Sequence, residues 1–307
     1  MSQAILKALL RLTLRVFFKA FAARAPVGLQ RRWINLLGAA GGVPPPGTSV
    51  GQIRAGGVPV SVIHRDTSAA ASSDRPAILY AHGGGFVLGG PRTHTNLCKH
   101  LAASSGADVH LVDYRLAPEH PHPAAVDDLF AAYKAMLERG HDPAQIAFGG
   151  DSAGAALAIS TVLAIREMDL PVPAALLLIS PFVDLGLSGA SVIANASRDP
   201  VLTDKWLAQG ARAYAGGRRL TDPLISPLYA HLHGLPPTLI QVGEDEILLD
   251  DSVRLADRAW SAGVDVQLQR YPGLWHDFQA HAGLLDEADG AIGDIAGFLR
   301  RCWAPAA

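Results

Sequence analysis

Short apolar runs recur along the chain with almost no polar interruption, at 77–81, 109–112, 146–148, 175–179 and 239–242. Unbroken runs of this length suit parallel strands that are buried on both faces. The segment 58–64 differs, because apolar and polar residues alternate there as in a half-exposed strand. Helical spacing fills the stretches between, near 95–103, 123–138 and 153–167. A last strand over 264–271 precedes a closing helix around 287–301. Alternation of strand and helix predicts an α/β fold, a mostly parallel central sheet with helices on both faces.

One interval breaks the alternation. About sixty residues separate the runs ending at 179 and beginning at 239, where a single crossover helix would suffice. Residues 184–222, with a helix predicted at 204–214, read as an insertion above the carboxyl ends of the strands, where open α/β sheets bind ligands. A turn-rich break at 41–51, containing Pro44, Pro45 and Pro46, sets off the N-terminal helices. The predicted organisation is an N-terminal part of a helical cap (1–45), a first part of the core (46–183), a cap insertion (184–222) and a second part of the core (223–307).

The first two dozen residues are rich in Leu, Val and Phe, yet Lys7, Arg11, Arg15 and Lys19 interrupt them every four residues. No apolar stretch reaches membrane-spanning length. The spacing lines the four cations along one side of a helix, with Ile5, Leu6, Leu9, Leu10, Phe17 and Phe21 on the other. Two readings follow: a cap helix lying over a pocket, and a basic amphipathic helix that touches a membrane surface through residues 1–24.

Composition narrows the rest. With 307 residues, about half of them apolar, and a formal net charge of −2, the chain gives no reason to expect nucleic acid as a partner. Cys98 and Cys302 are too few for a disulfide framework, which points to a reduced, cytoplasmic protein. Neither cysteine sits in a metal-ligand spacing, and no metal is expected.

Two glycine-framed stretches carry the chemistry: His82-Gly83-Gly84-Gly85-Phe86 and Gly150-Asp151-Ser152-Ala153-Gly154. In Gly-x-Ser-x-Gly the serine occupies a strained strand-to-helix turn, which lifts its hydroxyl above the sheet edge. The next amide, that of Ala153, points into the same space at a helix N-terminus, where developing negative charge is favoured. A tight turn with a helix-capping serine would look the same in isolation. The first stretch changes the balance, since it follows an earlier strand and supplies backbone N–H groups for a second side of an oxyanion hole.

A serine needs a base, and of twelve histidines His276 is the best placed, in a loop after the last strand and before the last helix. The base needs a carboxylate. Asp245, just past the strand at 239–242, is the candidate, with Glu244 as its nearest rival and Glu246, Asp250 and Asp251 close by. The order Ser152, Asp245, His276 is the order of an α/β-hydrolase.

These motifs, with Asp113-Tyr-Arg-Leu-Ala-Pro-Glu119-His-Pro and Gly243-Glu-Asp-Glu-Ile-Leu-Leu-Asp-Asp251, resemble the hormone-sensitive-lipase-like carboxylesterases, bacterial family IV. The resemblance runs from about residue 50 to the C-terminus. It implies Ser152 as nucleophile, His276 as base and Asp245 as acid, with Gly84 and Gly85 joining Ala153 in the oxyanion hole. His82 and Gly83 would support the glycine loop. The implied activity is that of a cofactor-free serine carboxylesterase acting on small-molecule esters with short to medium acyl chains. Leu88, Phe182, Leu185 and Trp206 are the expected pocket residues. An amidase or lactonase with the same triad stays open, as does a non-catalytic receptor like the plant gibberellin receptors, which resemble this family but lack the catalytic histidine. Members of the family are often homodimers.

Overall fold

The apolar runs pair into one eight-stranded sheet. In chain order the strands are β1 (Thr48–Ala55), β2 (Val58–Arg65), β3 (Ala77–Ala81), β4 (Asp108–Val112), β5 (Ile146–Asp151), β6 (Ala175–Ile179), β7 (Thr238–Gly243) and β8 (Val266–Tyr271). Their spatial order is β1-β2-β4-β3-β5-β6-β7-β8. β1 and β2 form an antiparallel hairpin, β2 runs antiparallel to β4, and every later pairing is parallel. The computed structural model describes residues 2–21, 25–38, 42–66, 73 and 75–304.

β1 was not expected from the sequence pattern. Its side chains are half-exposed along most of its length, as suits an edge strand, and Ser49, Gly51, Gln52 and Arg54 hide the alternation. The inner strands β3 to β7 are buried throughout, which is why their sequence is predominantly apolar.

Alternate residues of each strand feed two cores. On one face Ile78, Tyr80, Val109, Leu111 and Leu177 pack against α3 (Pro91–Ser105) and α9 (Asp286–Trp303). On the other, Leu79, Phe148, Leu176 and Ile240 meet α4 (Ala124–Glu138), α5 (Ala153–Glu167) and α8 (Leu249–Ser261). β3 lies between β4 and β5, so successive connections leave it in opposite directions along the sheet. Such a switch opens a crevice at the carboxyl ends of β3 and β5. The two glycine-framed stretches emerge there, side by side.

Four further helices lie outside this layered core: α1 (Gln3–Leu14), continued by a π-helical turn (Arg15–Phe21), α2 (Val27–Gly38), α6 (Ser191–Ala194) and α7 (Asp204–Ala215). The N-terminal helices and the long insertion hold each other directly. Trp206 Nε1 of α7 donates to Gln30 Oε1 of α2 at 2.9 Å, and Lys19 Nζ donates to the Ala196 carbonyl at 2.7 Å. Among the described residues, no helix is long and apolar enough to cross a membrane. Both cysteines are free.

Phe182 and Leu185 correct an expectation. Both are completely buried, and Phe182 packs its ring 5.9 Å from that of Phe86 in the core beneath the glycine loop. Backbone bonds fix their inward direction: the Phe182 amide donates to the Ser152 carbonyl and the Leu185 amide to Ser226 Oγ. They are core residues, not pocket residues. Phe182→Ala should therefore cost about 3–5 kcal/mol of stability, read from the midpoint of urea unfolding. A loss below about 1 kcal/mol would contradict this placement.

Candidate active site

β5 passes into α5 through Ser152, whose backbone sits at φ 52° and ψ −120°. A positive φ at a non-glycine residue costs of order 1–3 kcal/mol and persists only where neighbours enforce it. Here the Ser152 amide donates to the Ile179 carbonyl at 2.8 Å, and its own carbonyl accepts from the Phe182 amide at 3.0 Å. The glycine two residues on is required by packing. A Cβ on Gly154 would stand 2.0 Å from the Ala81 carbonyl oxygen at the end of β3, so only glycine lets the turn press against its neighbour.

The glycine loop follows β3. Gly84 lies at φ 120°, where a side chain is strained, and its carbonyl accepts from the Leu88 amide at 2.9 Å to close the turn. Among the described residues no acceptor takes the amides of Gly84 and Gly85. The Ala153 amide opens a helix and has no intrahelical partner. Gly83 and Gly84 face the same cavity as Ser152, while Gly85 turns beneath the Trp206 ring.

Beneath the loop lies a brace that the sequence did not announce. Asp151 accepts from Tyr80 Oη at 2.9 Å and pairs with His94 Nε2 at 3.2 Å. Burial would raise its pKa, but His94 and Tyr80 hold it below the usual carboxylate range. The Gly83 amide points at the same His94 nitrogen, 3.3 Å away. His82 stacks on Tyr114 with ring centres 4.1 Å apart, and Tyr114 Oη donates to the His82 carbonyl at 2.6 Å. Burial and the neighbouring His94 push the His82 pKa down to about 3. His82 is therefore a neutral structural ring near neutral pH.

His276 is buried at the cavity wall. Its Nδ1 lies 2.7 Å from Glu246 Oε2, and its Nε2 lies 3.0 Å from Asp277 Oδ2. Burial pulls the imidazole pKa down, but the Asp277 and Glu246 carboxylates outweigh it and hold it well above the ordinary value. Asp277 is itself raised to about 7, by burial against the opposing pull of His276, with Asp151 adding repulsion. Glu246 is completely buried. Its second oxygen accepts from Ser180 Oγ and from the Gly243 amide, both at 2.8 Å.

Asp245 does not meet His276, contrary to the expectation that it orients the base. It turns the other way and pairs with Arg11 Nη2 at 2.6 Å and with Arg198 Nη2. The tight turn after β7 sends successive side chains in opposite directions, and only the one at 246 reaches inward. Sequence alone does not fix that direction. A signal was available in the type of neighbour, since a carboxylate flanked by cations in space is already engaged, but Arg11 lies more than two hundred residues away.

Serine, glycine loop and histidine open on one cavity of about 530 Å³. That volume lies within the range of pockets that bury most of a small ligand. Leu88 and Trp206 line it, together with Leu10, Leu14, Phe17 and Phe18 from the N-terminal helices. Phe182 and Leu185 do not. Among the described residues, no cluster of three or more His, Cys, Asp or Glu is placed to hold a metal ion.

The cations of α1 and of the π-helical turn that continues it all find partners within the molecule. Lys7 pairs with Glu287 of α9 and Arg11 with Asp245, while Arg15 and Lys19 donate to the carbonyls of Ser197 and Ala196. The cationic side thus faces the body of the molecule, and Ile5, Leu9, Leu12 and Val16 are exposed.

A family model described as the alpha/beta hydrolase fold matches residues 78–280. An esterase of Acinetobacter venetianus is 42% identical over 230 residues, which is 75% of this chain and 76% of that one. An acetyl-hydrolase of Streptomyces hygroscopicus is 40% identical over 230 residues, 75% of this chain and 77% of that one. The crystal structure of an esterase from the bacterial hormone-sensitive lipase family superposes with a TM-score of 0.92 at 37% identity, covering 99% of this chain and all of the other. The chain belongs to the bacterial hormone-sensitive lipase family of esterases, built on the α/β-hydrolase fold.

Proposed function

We infer that the chain, a carboxylic ester hydrolase by family, works as a serine esterase on short- to medium-chain esters through an acyl-enzyme intermediate. The observation that carries this reading is the buried Glu246–His276 pair, which opens on the same cavity as Ser152 and the glycine loop. In this mechanism Ser152 Oγ attacks the acyl carbonyl while His276 Nε2 takes its proton. Glu246 fixes the proton on Nδ1 and offsets the charge of the imidazolium. The amides of Gly84, Gly85 and Ala153 receive the oxyanion, each donor contributing about 3–4 kcal/mol to the transition state. His276 then protonates the departing alcohol. Water repeats the sequence on the acyl-enzyme and regenerates the serine.

Residues 1–45 and 184–222 act as one cap in this account, because their side chains roof the cavity and bond to one another. The cap reading of α1 is supported by Leu10, Leu14, Phe17 and Phe18, which line the cavity. An acetyl-hydrolase among the relatives supports small acyl groups, and the cavity leaves room for medium ones. The free cysteines fit a reducing compartment.

Hydrolysis of p-nitrophenyl esters from acetate to palmitate, with matched anilides, tests the reading. Turnover should be highest with short and medium esters and far slower with anilides. Ser152→Ala should lower kcat by about 10³-fold or more. Full activity in that variant would remove Ser152 as nucleophile, and a preference for anilides would make the protein an amidase.

The two carboxylates facing His276 set the pH dependence. A protonated His276 cannot accept the serine proton, so kcat/KM should keep rising with pH above the ordinary histidine value of about 6.5. Asp277→Asn removes one anion beside the imidazolium and should move the acid limb to lower pH by about one unit. An unmoved limb would show that Asp277 does not hold this proton.

A further inference from the structure

We propose that Arg11 is a positioning residue for the base and its carboxylate, fastening the loop that carries Glu246 to the loop that carries His276. This rests on the reading of Glu246 and His276 as the acting pair. The guanidinium touches both loops at once. Its Nη2 donates to Asp245 Oδ2 at 2.6 Å and to the Gly273 carbonyl at 2.9 Å, and its Cζ stands 5.4 Å from the centre of the Trp275 ring. Asp245 immediately precedes Glu246, and Trp275 immediately precedes His276. A planar cation with several fixed donors is suited to bridging such a junction, whereas a single ammonium is not.

The other ties divide unevenly. The insertion grips the Glu246 loop at several points. Asn195 Nδ2 donates to the carbonyls of Glu244 and Glu246 at 3.0 and 2.9 Å, the Ile247 amide donates to Asp199 Oδ2 at 2.9 Å, and Arg198 takes the second oxygen of Asp245. These fix the acid's loop but do not reach the histidine's. Across the junction run the backbone bonds from the Glu244 amide to the Tyr271 carbonyl, 3.0 Å, and from the Asp245 amide to the Leu274 carbonyl, 2.9 Å, the Arg270–Glu244 ion pair, and Arg11, which alone among them also reaches the Trp275 ring. Arg11 Nη1 also donates to the Arg198 carbonyl at 3.1 Å, so one side chain of α1 joins the N-terminal helix, the insertion and both catalytic loops. Asp245 is the anchor for that side chain.

The consequence is that seating α1 sets the distance between carboxylate and imidazole, in addition to roofing the cavity. Steady-state kinetics of the full chain on p-nitrophenyl butyrate test this, with active sites counted by burst titration and a Glu246→Gln variant run alongside. Arg11→Met keeps length and apolar cover on Trp275 but loses every donor. It should lower kcat per titrated site about tenfold, leave KM within about threefold, and move the acid limb of kcat/KM to lower pH because the carboxylate holds the imidazolium less well. Arg11→Lys should recover only part of kcat, and adding Asp245→Asn to Arg11→Met should cost little more than the worse single change.

A kcat and pH profile equal to wild type in Arg11→Met, with Glu246→Gln inactive, would overturn the role of Arg11 alone. Full activity in Glu246→Gln would overturn the reading of the pair beneath it. A change confined to KM, or to the fraction of titratable sites, would make Arg11 a roof or folding residue and would also overturn the proposal. Should Arg11→Met fail to fold, Arg11→Lys carries the same readouts.

Discussion

A carboxylate and an imidazole, both out of water and 2.7 Å apart, are the constraint around which this molecule is arranged. A buried carboxylate is costly unless both of its oxygens are engaged. Glu246 meets that condition through Ser180, the Gly243 amide and His276. Each partner comes from a different part of the sheet's carboxyl edge: the end of β6, the end of β7 and the loop after β8. The pair therefore forms only when three strands are in register. The brace of Asp151, Tyr80 and His94 does the same for the serine and the glycine loop. The site is thus an outcome of strand register, and the chemistry inherits the rigidity of the sheet.

Much of this was legible in the sequence, and the reason is physical. Strands buried on both faces must be largely apolar, so β3 to β7 stand out, although β5 runs three residues beyond its apolar run. The position of Ser152 was legible because its strained turn demands glycines on both sides, and that of His276 because its loop lies between the last strand and the last helix. The acid was not. Asp245 and Glu246 are adjacent carboxylates in a turn, and the choice between them depends on which way one side chain points. Long-range partners decide it: two arginines draw Asp245 outward, and a serine with a histidine draws Glu246 inward. Phe182 and Leu185 were misread for a related reason, since an apolar residue just after a strand can face the core or the cavity with equal local propensity.

The N-terminal helix shows how far tertiary context can invert a pattern. Four cations at every fourth residue suggest a polar face turned to water or lipid. In the folded chain that face is the adhesive one, because it meets the carboxylates of Glu287 and Asp245 and the carbonyls at 196–198 of the insertion. The helix consequently contributes Leu10, Leu14 and the following Phe17 and Phe18 to the cavity roof. One of those cations, Arg11, also reaches the loops that carry Glu246 and His276.

The central claim is that Glu246, and not Asp245, holds the Nδ1 proton of His276. The most direct measurement is the proton NMR spectrum of the imidazolium below its titration, where a proton bonded to a buried carboxylate resonates far downfield of the amides. The account predicts that this resonance is present in the wild type, is retained in Asp245→Asn and is lost in Glu246→Gln. Its loss in Asp245→Asn together with its survival in Glu246→Gln would contradict the account.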